Sequence, residues 1–436
     1  MTLTSACTPP QRAQFGEMYQ YRAAGVTERR CIAREEIDIY KWMVSVGTYS
    51  RTPTLEETYG ALHSVIQRHP SLSVVVTAPE SPMPILKRAD SIDLSEHVTQ
   101  LQDVPMDELL IHIHNAPFGR GPRWHVYLVP DGRVAFAASH TVLDGVSTKL
   151  FHQAFIDGLK GGAPRHAICP PSACNLPPPL DAAGLTVSWW FVLWALISPL
   201  LERSTWHGPE RRPNTRVTTN VRHIRISSSS LTCILDTCRQ HNSGFTALMN
   251  HVAVRVLGNA LEAHGISDNM LSVVTPLDMR RIMRENESSM ANLASGVEAK
   301  ISTGPLDWDA VHRTSVHIRR VAGSRHNQLM ALLSYVGDIR AWTSQKAAEP
   351  AGGAVEVSNM GTFVNEPNSP AVAWELRAMT FSQSANGVGV PLNINVASVS
   401  GGPLDITLTW WPGMLPDGVA DAVAKGLSDE LLSIGS

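Results

Sequence analysis

Apolar positions recur along the chain in two rhythms. Over residues 54–69 (TLEETYGALHSVIQRH), Leu55, Tyr59, Leu62 and Ile66 share one helical face. Thr54 can cap that helix with Glu57 three residues on, and Pro70 stops it. Residues 72–77 (LSVVVT) read as a buried strand, and residues 107–114 as a short helix. Between 124 and 129 the period drops to two: Trp124, Val126 and Leu128 face one way, His125 and Tyr127 the other. Asp131-Gly132 is a hairpin turn, and residues 134–138 are its return strand. From 146 to 159 the rhythm is helical again, with Phe151, Phe155 and Leu159 in register.

Glycines and prolines then interrupt the pattern over 161–183, and a boundary between two halves is expected at about 165–215. Within it, residues 185–201 (LTVSWWFVLWALISPLL) carry no charge. That length is at the bottom of the range for a membrane span. The segment fits better as a crossover packed on the protein, or as a peripheral membrane contact through Trp189, Trp190 and Trp194. The second half restarts with a strand at 221–226. Serines 227–230 cap a helix bearing Leu231, Ile234, Leu235 and Cys238. A helix over 246–262 and strands at 271–275, 354–357, 394–399 and 404–410 follow. Helices and strands are mixed in both halves without strict alternation, which predicts an α/β (α+β) fold with mixed sheets.

With 43% hydrophobic residues among 436, the chain has ample material for a core. A formal net charge of -3 argues against a nucleic-acid binder. Six cysteines are sparse, and the polar N-terminus does not read as a secretory signal, so an intracellular, reducing setting is expected. The pairs Cys169/Cys174 and Cys233/Cys238 lack the turn residues of zinc sites, and no metal is expected.

The stretch FAASHTVLDGVSTKLFHQAF (136–155) carries the chemistry. A strand delivers His140 to its C-terminal end, where an imidazole is held by the sheet yet can face a cleft. Gly145 allows a tight turn before the next helix. Asp144 can turn inward and pair with a buried arginine, which leaves His140 neutral with an acceptor nitrogen. The spacing alone also fits a satisfied core histidine, or a metal pair lacking a third ligand.

His140-Thr141-Val142-Leu143-Asp144-Gly145 resembles the HxxxDG motif of the CoA-dependent acyltransferases, which include chloramphenicol acetyltransferase and peptide-synthetase condensation domains. The likeness is strongest to the fungal alcohol O-acetyltransferase branch. Gln67-Arg68-His69-Pro70-Ser71-Leu72 resembles that family's "RHP-L" helix end, and Val357-Ser358-Asn359-Met360-Gly361 its "SN-G" strand. Trp124 and Phe151-His152 also fall where the family leads one to look. Ser139 replaces the first histidine of the HHxxxDG form, and residues 381–391 (FSQSANGVGVP) stand where DFGWG is usual.

The resemblance implies a two-lobed fold with a tunnel between lobes: 1–164 as the N-terminal lobe, 165–215 as the linker and 216–436 as the C-terminal lobe. It implies an acyltransferase using an acyl-CoA, most simply acetyl-CoA, as co-substrate. His140 would be general base in direct transfer to a hydroxyl. Asp144 would be structural, with Arg68 as its counter-ion and Arg280 as the alternative. Ser358 and Asn359 would position substrate or meet the developing oxyanion. The apolar tone of the chain favours a lipophilic alcohol such as a terpenoid or polyketide intermediate, and a monomer is expected. A carrier-protein-bound acyl donor, or a repurposed member that binds or cyclises a lipophilic ligand, are the alternatives.

Overall fold

The computed structural model describes residues 21–161, 166–170, 175–201, 205–209, 217–283, 289–326, 328–349, 351–365 and 374–435. The chain runs β1 (Tyr21–Ala23), α1 (Val26–Glu36), β2 (Trp42–Tyr49), α2 (Leu55–Arg68), β3 (Val74–Thr77), β4 (Ile85–Arg88), β5 (Ile92–Asp93), β6 (Val98–Gln100), α3 (Met106–Asn115), β7 (Trp124–Leu128), β8 (Arg133–Ser139) and α4 (Gly145–Leu159). β9 (Ala167–Ile168) and α5 (Trp189–Leu201) lead into β10 (Asn220–Ile226), α6 (Ser228–Gln240), α7 (Phe245–Glu262), β11 (Met270–Asp278), β12 (Ala294–Ser302), α8 (Trp308–Ala322), α9 (Leu329–Leu332) and α10 (Ile339–Ala348). β13 (Val355–Phe363), β14 (Leu376–Gln383), β15 (Leu392–Val399), β16 (Leu404–Trp410) and α11 (Val419–Ile434) complete it. This is the mixed α/β fold expected from the sequence.

Two sheets carry the architecture. The first has the order β14-β2-β8-β7-β6, the second β10-β16-β15-β13-β11-β12. In the first, β8 is buried on both faces. Val134, Phe136 and Ala138 meet Leu62 and Ile66 of α2 and Phe151 and Phe155 of α4. Ala135 and Ala137 meet Leu109, Leu110 and Ile113 of α3. A strand covered on both sides reads as a continuous apolar run, which is how VAFAA appears. β14 comes from the C-terminal half but pairs antiparallel with β2, so a late strand completes an early sheet.

In the second sheet one face packs against α6, α7 and α11 through residues such as Ile234, Leu257 and Leu427. Its other face is polar yet buried. Thr407 donates to the Phe381 carbonyl at 2.7 Å, and Thr380 of β14 donates to Asp405 at 2.6 Å. Each of these buried polar groups is satisfied by a partner across the joint between β14 and β16, as burial demands.

Local signals explain the helix starts. Thr54 accepts from the Glu57 N–H, and the Glu57 carboxylate accepts from the Thr54 N–H at 2.8 Å. Ser227 caps α6 by accepting from Ser230 N–H. The strand expected from residue 72 begins only at Val74, because Pro70–Ser73 closes into a 3-10 turn first. β11 continues through Pro276 to Asp278, tolerating a residue without an N–H because β13 pairs only with Val273 and Val274. In the crossover, α5 does not pack as a buried segment: Trp189 and Trp190 are 61% and 64% exposed. Among the described residues no helix is long and apolar enough to cross a membrane.

Candidate active site

The loop between β8 and α4 places the motif. β8 ends at Ser139, His140 follows, and Asp144 is the N-cap of α4, accepting from the Ser147 N–H at 2.8 Å. The Asp144 carboxylate is saturated. Arg280 donates through Nη1 and Nη2 at 2.8 and 2.9 Å, the Leu293 N–H at 2.9 Å, and the Ser147 hydroxyl at 2.9 Å. Burial pushes its proton affinity up, but the Arg280 charge and these donors hold its carboxyl below the usual range. Arg280 itself stands just past β11, anchored to Asp278 and to the carbonyls of Ser289 and Ala291.

The counter-ion implied by the family likeness was Arg68. The structure puts Arg68 elsewhere, at the exposed end of α2, 3.6 Å from Asp157. The arginine beside Asp144 is Arg280. Gly145 also has a different reason from the expected turn. Its φ is ordinary, but a Cβ there would stand 2.5 Å from Met360 Sδ and 3.1 Å from Phe381. Close packing against β13 and β14 excludes a side chain.

His140, Asp144, Gly145, Ser358 and Asn359 all line one cavity of about 430 Å³. It runs between the two sheets, with Phe381, Gln383, Asn386, Val388 and Val390 of the 381–391 stretch on its wall. The His140 Nδ1 is enclosed with no hydrogen-bond partner among the described residues. Burial, then the charge of Arg34, pushes the imidazole down to about 4. It is therefore neutral at neutral pH, the form a general base requires. Asn292 donates to the His140 carbonyl at 2.6 Å and fixes the backbone under the ring.

Ser139, at the position of the missing first histidine, has its own work. Its hydroxyl donates to Glu35 of α1 and accepts from the Thr141 N–H at 3.0 Å, while Thr141 also donates to Glu35. Arg123 neutralises that glutamate at 2.5 Å. Asn359 spends its side chain on structure, donating to Thr246 and accepting from the Gly361 N–H at a β-bulge. Ser358, 8% exposed, faces the cavity one residue earlier.

Sequence reasoning missed α1 entirely. Its Arg30, Cys31 and Arg34 line the cavity, and so does Tyr40 beyond it. VTERRCIAREE reads as a charged surface helix; the available signal was two arginines one turn apart beside an isolated Cys-Ile-Ala. Among the described residues no group of three or more His, Cys, Asp or Glu side chains gathers as a metal site would require.

Two sheets joined around a neutral histidine of an HxxxDG loop define a CoA-dependent acyltransferase fold. The chain belongs to the alcohol acetyltransferase family, whose pattern matches residues 191–418. A probable alcohol acetyltransferase of Fusarium pseudograminearum is 23% identical, with 95% of each chain covered. A probable alcohol acetyltransferase of Aspergillus fumigatus is 21% identical over 85% of this chain and 88% of its own. Among solved structures, the trichothecene 15-O-acetyltransferase of Fusarium sporotrichioides shares the fold with a TM-score of 0.69 at 13% identity, covering 95% of each chain. The condensation domain of the polyketide synthase MokA does so with a TM-score of 0.60 at 10% identity, over 96% of this chain and 97% of its own. The chain is thus an O-acetyltransferase, and its family implies an acyl-CoA and an alcohol as substrates.

Proposed function

We propose that this enzyme transfers an acetyl group from acetyl-CoA to the hydroxyl of a largely apolar alcohol, in one direct step with His140 as general base. The observation that carries the reading is a neutral imidazole on the wall of a cavity between the two sheets, with the Asp144 carboxylate beside the motif held by Arg280. With Nδ1 enclosed, Nε2 is the nitrogen left to meet a reactant. It takes the proton from the acceptor hydroxyl as the oxygen attacks the thioester carbonyl. The C–O bond forms, the C–S bond breaks, and the proton passes to the departing thiolate. General base catalysis of this type contributes about 10²–10⁴-fold.

Ser358 is the donor best placed to meet the developing oxyanion, since Asn359 is held by Thr246 and Gly361. Asp144 acts through the loop: its bonds to Arg280 and Leu293 keep His140 aimed without contacting it. Donor and acceptor reach the histidine from opposite sides of the joint between the sheets. The apolar α5, with its adjoining and exposed Trp189 and Trp190, suits contact with the interface of a lipid surface, where lipophilic alcohols concentrate.

The test is incubation of the full chain with acetyl-CoA and a panel of hydroxylated lipophilic compounds, scored by product mass and thiol release. Acceptor-dependent thiol release that falls at least about 10²-fold in His140→Ala, with an unchanged melting temperature, supports the proposal. Equal turnover by that variant removes it.

A further inference from the structure

Arg30 and Arg34 stand one turn apart on α1 and line the same cavity as His140. Arg34 is 4% exposed, and among the described residues its Nε and Nη2 are enclosed without a hydrogen-bond partner, as is the Arg30 Nε. The Arg34 guanidinium sits 4.1 Å above the Tyr40 ring, whose centroid is 6.0 Å from that of His140. Guanidinium and imidazole are separated by no more than the sum of those distances.

Enclosed guanidinium nitrogens without partners are costly, and buried charges are ordinarily paired. The acids nearby are occupied elsewhere. Glu28 pairs with Arg22, Glu35 with Arg123, and Asp144 with Arg280. Asp144, Asp278, Glu298 and Glu356 share the cavity wall, and Asp144 and Asp278 pair with Arg280. Glu356, the acid that interacts with both Arg30 and Arg34, accepts from Gln383 at 2.5 Å, and burial pushes its carboxyl up; one carboxyl faces two guanidinium groups. Burial and the adjacent Arg34 push Arg30 down to about 10, the signature of a missing counter-charge. Tyr40 donates to Gln383 and offers no anion.

We propose that Arg30 and Arg34 form a carboxylate-binding site beside His140, so that the alcohol acetylated there is a hydroxy acid with an apolar body. The anion is not the diphosphate of CoA, because the pantetheine arm holds the phosphates well beyond the span between Arg34 and the reacting thioester. A carboxylate matches a guanidinium fork in shape and charge, and such bonds are among the strongest in proteins. Once seated, it offsets the arginine charges that depress His140, so the acid substrate strengthens its own base. The carboxylate site stands on the α1 geometry; the hydroxyl it accompanies rests on the acyltransferase reading above. A dicarboxylic acyl group on the donor is the other source of the same chemistry.

The experiment measures calorimetric binding of octanoate and 1-octanol to the full chain, wild type, R34Q and R30Q. Octanoate is expected to bind wild type at least about tenfold more tightly, with the preference lost in R34Q and weakened in R30Q. If R34Q does not fold, R30Q gives the reading. Equal binding of the two probes, no binding of octanoate, or a preference that survives the substitutions overturns the site. Turnover then fixes the source. With acetyl-CoA, 8-hydroxyoctanoate is expected to exceed its methyl ester by about tenfold in kcat/KM. An Arg34-dependent preference for malonyl-CoA over acetyl-CoA with 1-octanol instead places the carboxylate on the donor and overturns the hydroxy-acid assignment. Octanoate selectivity without acetyl transfer to any alcohol leaves the site standing and removes the acyltransferase mechanism.

Discussion

The Asp144 carboxylate and the Arg280 guanidinium lie fork to fork, 2.8 and 2.9 Å apart, and tie the motif loop to the end of β11. Both side chains are almost wholly buried. Removing one partner strands the other charge. Asp144→Asn is expected to cost roughly 3–5 kcal/mol of stability and to depress turnover by letting the His140 loop relax. Arg280→Lys keeps the charge but not the fork, and should fall between wild type and Asp144→Asn. Chemical denaturation read beside kcat checks both. Wild-type stability in Asp144→Asn would show that the pair holds nothing.

Gly145 is predicted to be intolerant for want of space. Gly145→Ala drives a methyl into Met360 and toward Phe381, at a cost of roughly 1–3 kcal/mol, and displaces Met360 into the cavity. The double variant Gly145→Ala/Met360→Ala should recover much of the lost stability. Unchanged stability on adding Met360→Ala counts against the packing account.

Activity should fail on the acid side in a defined place. His140 is held at about 4, so the neutral base persists through mildly acidic pH and is lost as pH falls through that value. The acid limb of kcat/KM, which reports the free enzyme, is expected near pH 4, not near the ordinary imidazole value. Arg34→Gln removes the charge that lowers it and should move the limb upward.

Stability should weaken before activity chemistry does. His114 is pushed down to about 3 by burial, and His152 to about 4. Both imidazoles are enclosed and bonded, His152 to Ser45 and Tyr49, His114 to Ser382. An unfolded histidine takes its proton near 6.5, so the unfolded state binds more protons between about 6.5 and 4. The stability these groups contribute is whole above 6.5 and is lost as pH falls across that window. Melting temperatures recorded from pH 7 to 4 should decline, and His152→Gln should flatten the slope.

The Trp189 and Trp190 rings lie tilted against each other with centroids 3.7 Å apart, both exposed on α5. Sedimentation with phosphatidylcholine vesicles should carry down the wild-type chain more than Trp189→Ser/Trp190→Ser. No difference between the two argues against lipid contact.

What the sequence disclosed and what it hid have physical reasons. β8, α2 and α4 were legible because each buries a regular stripe and begins or ends at a cap or proline. The His140 and Asp144 positions were legible because a strand, a loop and a helix meet there in a recognisable spacing. The partner of Asp144 was not decided, since Arg68 and Arg280 are both arginines at element ends and only tertiary contact separates them. α1 escaped because its inward residues are charged, contrary to amphipathic expectation, and β14 because its buried far side is threonine and serine facing another sheet. Chemistry that violates burial rules is what periodicity is least able to reveal.

The placement of β14 beside β2 also governs how the polypeptide can be cut. A fragment ending before the crossover would hold β2 with a bare hydrogen-bonding rim, flanked by Met43 and Val44 and open to any passing strand. Such a fragment should clump when expressed alone and regain solubility when the remainder is supplied in trans. During synthesis the first sheet must therefore wait, unfinished, until residues 376–383 emerge.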